Sequence, residues 1–368
     1  MMREAYVQRL VIVLAKMEEK GIGWFLIGPS ATMKYLVGYN GRGDERLLVL
    51  VIAAGRKPFI LANKLYELQV GSAPVDEFIY WGDGEDAVEL LMRTLKERDV
   101  DISSVAVDKA MPGMFLIPIS QKMSKSVFCL GNSIVDELRT YKDEEEMKCM
   151  IRACEAAAIA LKNTISRGRW WIGKTESDFR SQLCQDMTEQ GINAHGAIVA
   201  VGAHAAVPHH STGQTVIEDG SCMLVDYGGN YDGYCSDMTR TFHFGEPSDE
   251  FKKVYEIVQE ANRRGQEAAK IGNLLQDVDR AARSYIDSQG YGAYFTHRTG
   301  HGIGLGGHEG PSAAEGVEVP IAPGMAFSIE PGIYLPGKFG VRIEDQALIT
   351  KDGLKILHDF PRELQIIK

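Results

Sequence analysis

Three histidines, His297, His301 and His308, fall within the glycine-rich run HRTGHGIGLGGHEG at residues 297–310. Imidazoles this close together, on a backbone carrying few side chains, suit a metal, a nucleotide or a tight structural turn. Gly302, Gly304 and Gly307 satisfy GxGxxG, but the segment that follows is HEGPSAAEGVEVP rather than a helix, which argues against dinucleotide binding.

Two pairs of acids decide between the remaining readings. CMLVDYGGNYDGYCSDMTRTFHFG (222–245) reads as a β-hairpin turning at Asn230-Tyr231-Asp232-Gly233. Centred there, it sets Asp226 opposite Asp237 among apolar neighbours. AFSIEPGIYLPGKFGVRIEDQALI (326–349) reads as a second hairpin turning at Pro336-Gly337-Lys338, which sets Glu330 opposite Glu344. Like charges across a ladder repel, and buried unpaired carboxylates are costly. A slipped register or a bond to Arg240 would relieve one hairpin; the repetition in a second is hard to explain that way. Multivalent cations would turn both repulsions into attraction. Four carboxylates and the imidazole of His301 suit two divalent ions of the Mn, Co, Fe or Zn kind. Bridging carboxylates hold such ions roughly 3.5–4 Å apart. The glycines beside His301 let the backbone come close, and His297 and His308 flank it on the substrate side. DYGGNYDG lacks the ligand spacing of an EF-hand.

The elements that must position these residues follow from the hydrophobic pattern. Within 368 residues there is room for two domains. Residues 1–135 alternate helices with short apolar strands, including the buried run LLVLVIAA at 47–54, and form an α/β domain without a phosphate loop or nucleophile elbow. Arg3, Glu4, Lys16, Glu18 and Glu19 flank an amphipathic first helix, not a signal peptide. Residues 136–368 carry two helices (143–167, 175–190) before the first hairpin and two more (248–271, 274–289) before the second. Asp143 to Glu146 suit a helix N-terminus, and Thr175 with Asp178, and Ser248, suit helix starts. The repeat predicts a curved sheet backed by helices, with a cleft between its halves.

Net charge is −10, which argues against a nucleic-acid partner. No apolar run is long enough to span a membrane. The six cysteines show no CxxC and no framework spacing, as expected of reduced thiols in the cytoplasm.

VDYGGNYDGYCSDMTRTF, HRTGHGIGLGGHEGP, SIEPGIY and VRIED together resemble the Xaa-Pro dipeptidases (prolidases) and aminopeptidase P. LIGPSATMKYLVGY is similar to the early segment of the same family. The resemblance implies a creatinase-like α/β N-terminal domain, shaping the pocket and a dimer, and an α+β pita-bread catalytic domain. It implies Asp226, Asp237, His301, Glu330 and Glu344 as metal ligands, with Asp237 and Glu344 bridging. Asp226 would hold one ion, and His301 with Glu330 the other. His209, in AVPHHSTG, and His308 match substrate-contacting histidines; Arg342 would buttress the carboxylates, and Arg298 would meet the carboxylate end of a short substrate. His210 is left as a neighbour without a role, His297 as a packed or supporting histidine, and Asp345 and Glu309 as solvated or structural.

The implied reaction is hydrolysis of the bond between an N-terminal residue and proline by a hydroxide bridging two divalent ions, Mn or Co before Zn or Fe. Glu330 would take and pass on the proton, while His209 and His308 stabilise the oxyanion. Arg298 favours the dipeptidase. The alternatives are an aminopeptidase P acting on longer peptides, an aminopeptidase indifferent to proline, a non-catalytic binding protein, and another amidohydrolase such as creatinase. Peptide substrates, a cytoplasmic location and a homodimer complete the expectation.

Overall fold

The computed structural model describes residues 2–368 other than 40, 42 and 100–102; the side chain of Arg3, expected on the first helix, lies outside the described set. The chain divides into two compact units, Met1–Arg139 and Thr140–Lys368. Helix Asn132–Thr140 runs across positions 135 and 136, where the hydrophobic pattern divides the chain.

The described residues of the first unit include six strands: β1 (Trp24–Ile27), β2 (Val49–Ala53), β3 (Phe59–Asn63), β4 (Glu77–Trp81), β5 (Ser104–Val107) and β6 (Val127–Leu130). They form one mixed sheet in the order β4-β3-β2-β1-β5-β6. Every residue of β1, β2 and β3 is buried, as unbroken apolar runs such as VLVIA require. Among the described residues, six α-helices accompany it: α1 (Met2–Glu19), α2 (Ala31–Val37), α3 (Glu67–Val70), α4 (Ala87–Glu97), α5 (Gly113–Lys122) and α6 (Asn132–Thr140).

The second unit opens with α7 (Glu144–Ile165) and α8 (Glu176–Glu189), each started by a reciprocal capping box, Asp143 with Glu146 and Thr175 with Asp178. Then come β7 (Asn193–Val201), β8 (Cys222–Tyr231), β9 (Tyr234–Cys235) and β10 (Met238–Phe244). Helix α9 (Asp249–Ala268), capped by Ser248, and α10 (Leu275–Ser288) precede β11 (Gly300–Gly302) and β12 (Glu309–Ala313). The chain closes with β13 (Ala326–Ile329), β14 (Gly332–Leu335), β15 (Phe339–Arg342), β16 (Asp345–Thr350), β17 (Gly353–Ile356) and β18 (Gln365–Ile367).

These strands make two sheets, β18-β10-β8-β7 and β12-β11-β13-β16-β17, and a separate ribbon, β14-β15. Leu161, Phe179 and Leu183 of the first helix pair bury against Val225 of β8 and Phe242 of β10. Val258 and Ile286 of the second pair pack on the ribbon through Ile333 and Val341, and Val278 packs on β13 through Phe327. Each such side chain contributes about 1.5–3 kcal/mol. The sheets are therefore fixed from behind by helices, and their inner faces are left for chemistry.

Candidate metal centre

The first hairpin turns one residue later than its composition suggests. Asp232 and Gly233 form a two-residue loop with φ of 48° and 83°, between Tyr231 and its partner Tyr234. Both loop residues are left-handed, the geometry that matches strand twist in tight hairpins. The expected pairing is thereby corrected: Asp226 faces Thr239 across the ladder, and Asp237 lies in the break between β9 and β10. The slip is an even number of residues, so the side-chain face is conserved. Asp226 and Asp237 become diagonal neighbours rather than opposite ones.

In the second hairpin, Ile329 pairs Asp345 and Gly332 pairs Arg342. Glu330 and Glu344 sit between those pairs, where the chain passes from the sheet to the ribbon and back. The two hairpins are stitched directly: the Glu344 amide donates to the Thr239 carbonyl (3.1 Å), and the Thr241 hydroxyl to the Arg342 carbonyl (3.0 Å). This seam brings the four acids together. His301 arrives on β11, where Gly300 passes so close to β13 that a Cβ would run into the Ser328 carbonyl.

Candidate ligand atoms of Asp226, Asp237 and Glu344 lie within 4.8 Å of one another, as do those of His301, Glu330 and Glu344. His301 Nε2 is 3.4 Å from Glu330 and 3.8 Å from Asp237. Its Nδ1 sits 3.1 Å from the Gly302 carbonyl, which fixes the proton there and leaves the Nε2 lone pair pointing at the acids.

The electrostatics are those of a crowded anionic site. Burial, then the charges of Asp226 and Glu330, hold the Asp237 carboxyl well above its usual range. Burial and the charge of Asp237 do the same to Glu344. Glu330 is pushed up to about 7, chiefly by burial, and burial pushes His301 down to about 3. One guanidinium answers the four acids from within. Arg342 donates to Asp226 (Nη2, 2.7 Å), Thr239 (Nε, 3.1 Å) and the Tyr334 hydroxyl (Nη1, 2.8 Å). The carboxylates are also aimed by neutral groups. Thr239 donates to Glu344 (2.6 Å), Ser328 donates to Glu330 (3.1 Å), and Gln346 accepts from the Asp237 amide (3.2 Å).

A cavity of about 600 Å³ opens over these groups. Its wall brings together every residue singled out from the sequence for chemistry: the five candidate ligands with His209, Arg298, His308 and Arg342. The rings of His301 and His308 have centroids 3.8 Å apart. Arg298 Nη1 donates to Ser312 (3.1 Å). His297 also lines the cavity, bonded through Nε2 to the Tyr334 hydroxyl (2.8 Å). Asp345 is structural, buried between Arg240 (2.7 Å) and Arg362 (2.5 Å). Glu309 accepts from the Gly306 amide (2.6 Å). His210 is corrected from a bystander: its Nε2 is 3.0 Å from the buried carboxylate of Glu176. Thr239 and Gln346 escape sequence reasoning because they meet the acids only across strands; Tyr334 escapes it because it bonds Arg342 and His297 rather than an acid, and Ser328, two residues before Glu330, because nothing in its type marks it.

With this geometry in hand, comparison with known proteins is specific. Residues 146–351 match metallopeptidase family M24, and residues 9–141 match the creatinase/prolidase N-terminal domain. The chain belongs to metallopeptidase family M24. It is 34% identical to a probable dipeptidase, PepE, of Mycobacterium tuberculosis, over 99% of this chain and 97% of that one. It is 35% identical to an Xaa-Pro dipeptidase of Lactobacillus helveticus, over 93% and 94%. Among solved structures, it superposes on a prolidase from Thermococcus sibiricus with a TM-score of 0.93 at 34% identity, covering 98% of this chain and 99% of that one. The α/β domain followed by an α+β pita-bread domain, and a peptidase that depends on divalent metal, are thus as the motifs imply. Among the described residues, no helix is long and apolar enough to cross a membrane.

Proposed function

We propose that this chain is an Xaa-Pro dipeptidase that binds two divalent ions, Mn or Co, between Asp226, Asp237, His301, Glu330 and Glu344. The observation that carries the reading is the pair of ligand triads sharing Glu344 at the floor of the cavity. Glu344 belongs to both triads and Asp237 lies near both Asp226 and His301, which supports the two as bridging ligands. Acids whose ionisation is opposed first by burial and then by one another's charge, and an imidazole lone pair aimed among them, fit hard cations as the missing charge. When bound, two such ions supply an activated water and a Lewis acid for the scissile carbonyl.

The residues of the chain supply the rest. Glu330 accepts the proton of the attacking water and carries it towards the leaving nitrogen. His209 and His308 donate to the carbonyl oxygen as it gains charge. Proline as leaving group has no N–H, so shape rather than a hydrogen bond must receive it. Arg298 pairs with the free carboxylate of a dipeptide, which restricts length. Dipeptidase and Xaa-Pro dipeptidase names among the relatives support the substrate class. A cytoplasmic homodimer, with the N-terminal domain contributing to the dimer, completes the proposal.

The test is to strip the protein with chelator, restore Mn or Co, and compare Ala-Pro, Ala-Pro-Ala and Ala-Ala-Ala. Metal-dependent cleavage of Ala-Pro alone is expected. Preferred cleavage of Ala-Pro-Ala would replace the dipeptidase by an aminopeptidase P, and preferred cleavage of Ala-Ala-Ala would remove the proline assignment.

A further inference from the structure

Glu176, the first residue of α8, has a side chain with no exposed surface. A carboxylate so placed must be fully bonded or it destabilises the fold. It is bonded four times. Oε1 accepts from the Val201 amide (2.9 Å) and lies 3.1 Å from His204 Nδ1. Oε2 accepts from the Gly213 amide (2.8 Å) and lies 3.0 Å from His210 Nε2. The two imidazoles stack with centroids 4.3 Å apart. Burial raises the pKa of this group, but His210, the two amides and His204 outweigh it and keep the carboxyl below its usual range.

The four partners have a pattern: residues 201 and 204 precede His209 in the chain, and residues 210 and 213 follow it. One carboxylate thus closes the 201–213 segment on itself, with His209 at its far side lining the cavity. Ser177 and Glu176 extend the grip, the Ser177 hydroxyl donating to the Gly213 carbonyl (2.6 Å) and the Glu176 amide to the Thr215 carbonyl (3.0 Å). On the cavity side, Arg342 Nη1 makes a long contact of 3.5 Å with the Pro208 carbonyl. The segment is stretched between the Glu176 clasp behind it and the guanidinium that supports Asp226 in front. Glu176, His204 and His210 also have the spacing of metal ligands. Both carboxylate oxygens already hold backbone amides, however, so their geometry is that of a loop anchor.

We propose that Glu176 is a positioning residue for the peptidase reaction: through Val201, His204, His210 and Gly213 it fixes the height and angle at which His209 meets the substrate. The inference rests on the reading of His209 as a substrate-contacting group. Glu176→Gln keeps the shape but replaces one acceptor by an NH2 that must face the amide donor of Val201 or Gly213, so the clasp opens on one side.

The experiment is a double-mutant cycle on the metal-loaded full chain, with Glu176→Gln, His209→Ala and the double variant assayed on Ala-Pro. Losing a bond to a buried charge corresponds to about a 10- to 100-fold fall in kcat/KM for Glu176→Gln. If Glu176 acts through His209, the same substitution in the His209→Ala background lowers kcat/KM by less than about threefold, and Mn affinity is unchanged in all variants. Equal losses in both backgrounds, or a loss of Mn affinity, would overturn the inference in favour of a general structural role. Wild-type activity of His209→Ala would instead remove the role of His209, and the inference with it. Should Glu176→Gln not fold, His210→Gln replaces it in the cycle, with a smaller loss that also vanishes without His209; failure of that variant to fold would likewise assign the clasp to stability alone.

Discussion

Replacing Arg342 by lysine keeps the charge and removes the fork, and the structure says what that should do. The Arg342 side chain is almost fully buried, at 3% exposure, and reaches Asp226, Thr239 and Tyr334 from three different nitrogens. An ammonium is a compact point donor and cannot hold three partners set around a planar guanidinium. If the substituted lysine keeps the bond to Asp226, it forfeits Thr239 and Tyr334, at about 1 kcal/mol each. If it does not, the charge-assisted bond to Asp226 is lost, at about 1.5–3 kcal/mol. The two routes give about 2 and about 1.5–3 kcal/mol, or roughly 10- to 150-fold. The loss should fall on metal affinity, because Asp226 is aimed by Arg342 and Glu344 by the Thr239 that Arg342 also holds. The assay is titration of chelator-stripped protein with Mn in a metal buffer, alongside kcat/KM for Ala-Pro at saturating Mn. Arg342→Lys should bind Mn about 10- to 100-fold more weakly and recover most of its kcat when saturated. Mn affinity within about twofold of wild type would refute the claim that the fork organises the ligands.

Asp345 and Gly300 test the frame around the site. Asp345→Asn leaves the buried Arg240 without its charge partner and should cost about 3–5 kcal/mol in denaturant unfolding. Burial raises the Asp345 pKa, but Arg240 and Arg362 outweigh it and hold it below the usual range. With a depressed folded pKa, this stabilisation is fully present above the unfolded value of about 3.9 and is lost as pH falls through the folded one. The gap between variant and wild type should therefore narrow only in strong acid, and a gap that narrows between pH 5 and 7 would contradict it. Gly300→Ala forces β11 away from the Ser328 carbonyl, so it should lower both thermal stability and Mn affinity; a variant with wild-type Mn binding would show that His301 tolerates the shift.

How much of this site is legible in the sequence depends on how far each contact reaches along the chain. The second hairpin reads in register because Pro336-Gly337-Lys338 marks its centre unambiguously, Leu335 pairing Phe339 around it. The first misleads because Asn230 has the look of a turn residue. It is one in part, since its side chain accepts from the Gly233 amide (3.0 Å), yet its backbone remains in the ladder opposite Cys235. The slip does no harm to the chemistry, because an even shift preserves the face and the acids stay together. An odd slip would turn Asp226 into the helix-backed core, where no cation could reach it.

Two of the groups that are not legible, Glu176 and Gln346, share one property: each acts on a partner far away in sequence through a bond no local pattern announces. Glu176 has the sequence appearance of an ordinary acid in the first turn of a helix, where the dipole alone would justify it. Its partners lie 25 to 37 residues further on. Gln346 reads as a polar residue in a strand, yet it is fully buried and accepts from the Asp237 amide 109 residues away. Periodicity places such a side chain on a face, and composition reports only that it is polar. Whether it becomes an anchor depends on which donors the fold delivers to that point, and those donors are backbone amides as often as side chains. The five candidate ligands are readable for the opposite reason. Their conflict, acid against acid within each of two hairpins, is local, and conflicts that a chain keeps at that cost point to the cation that resolves them.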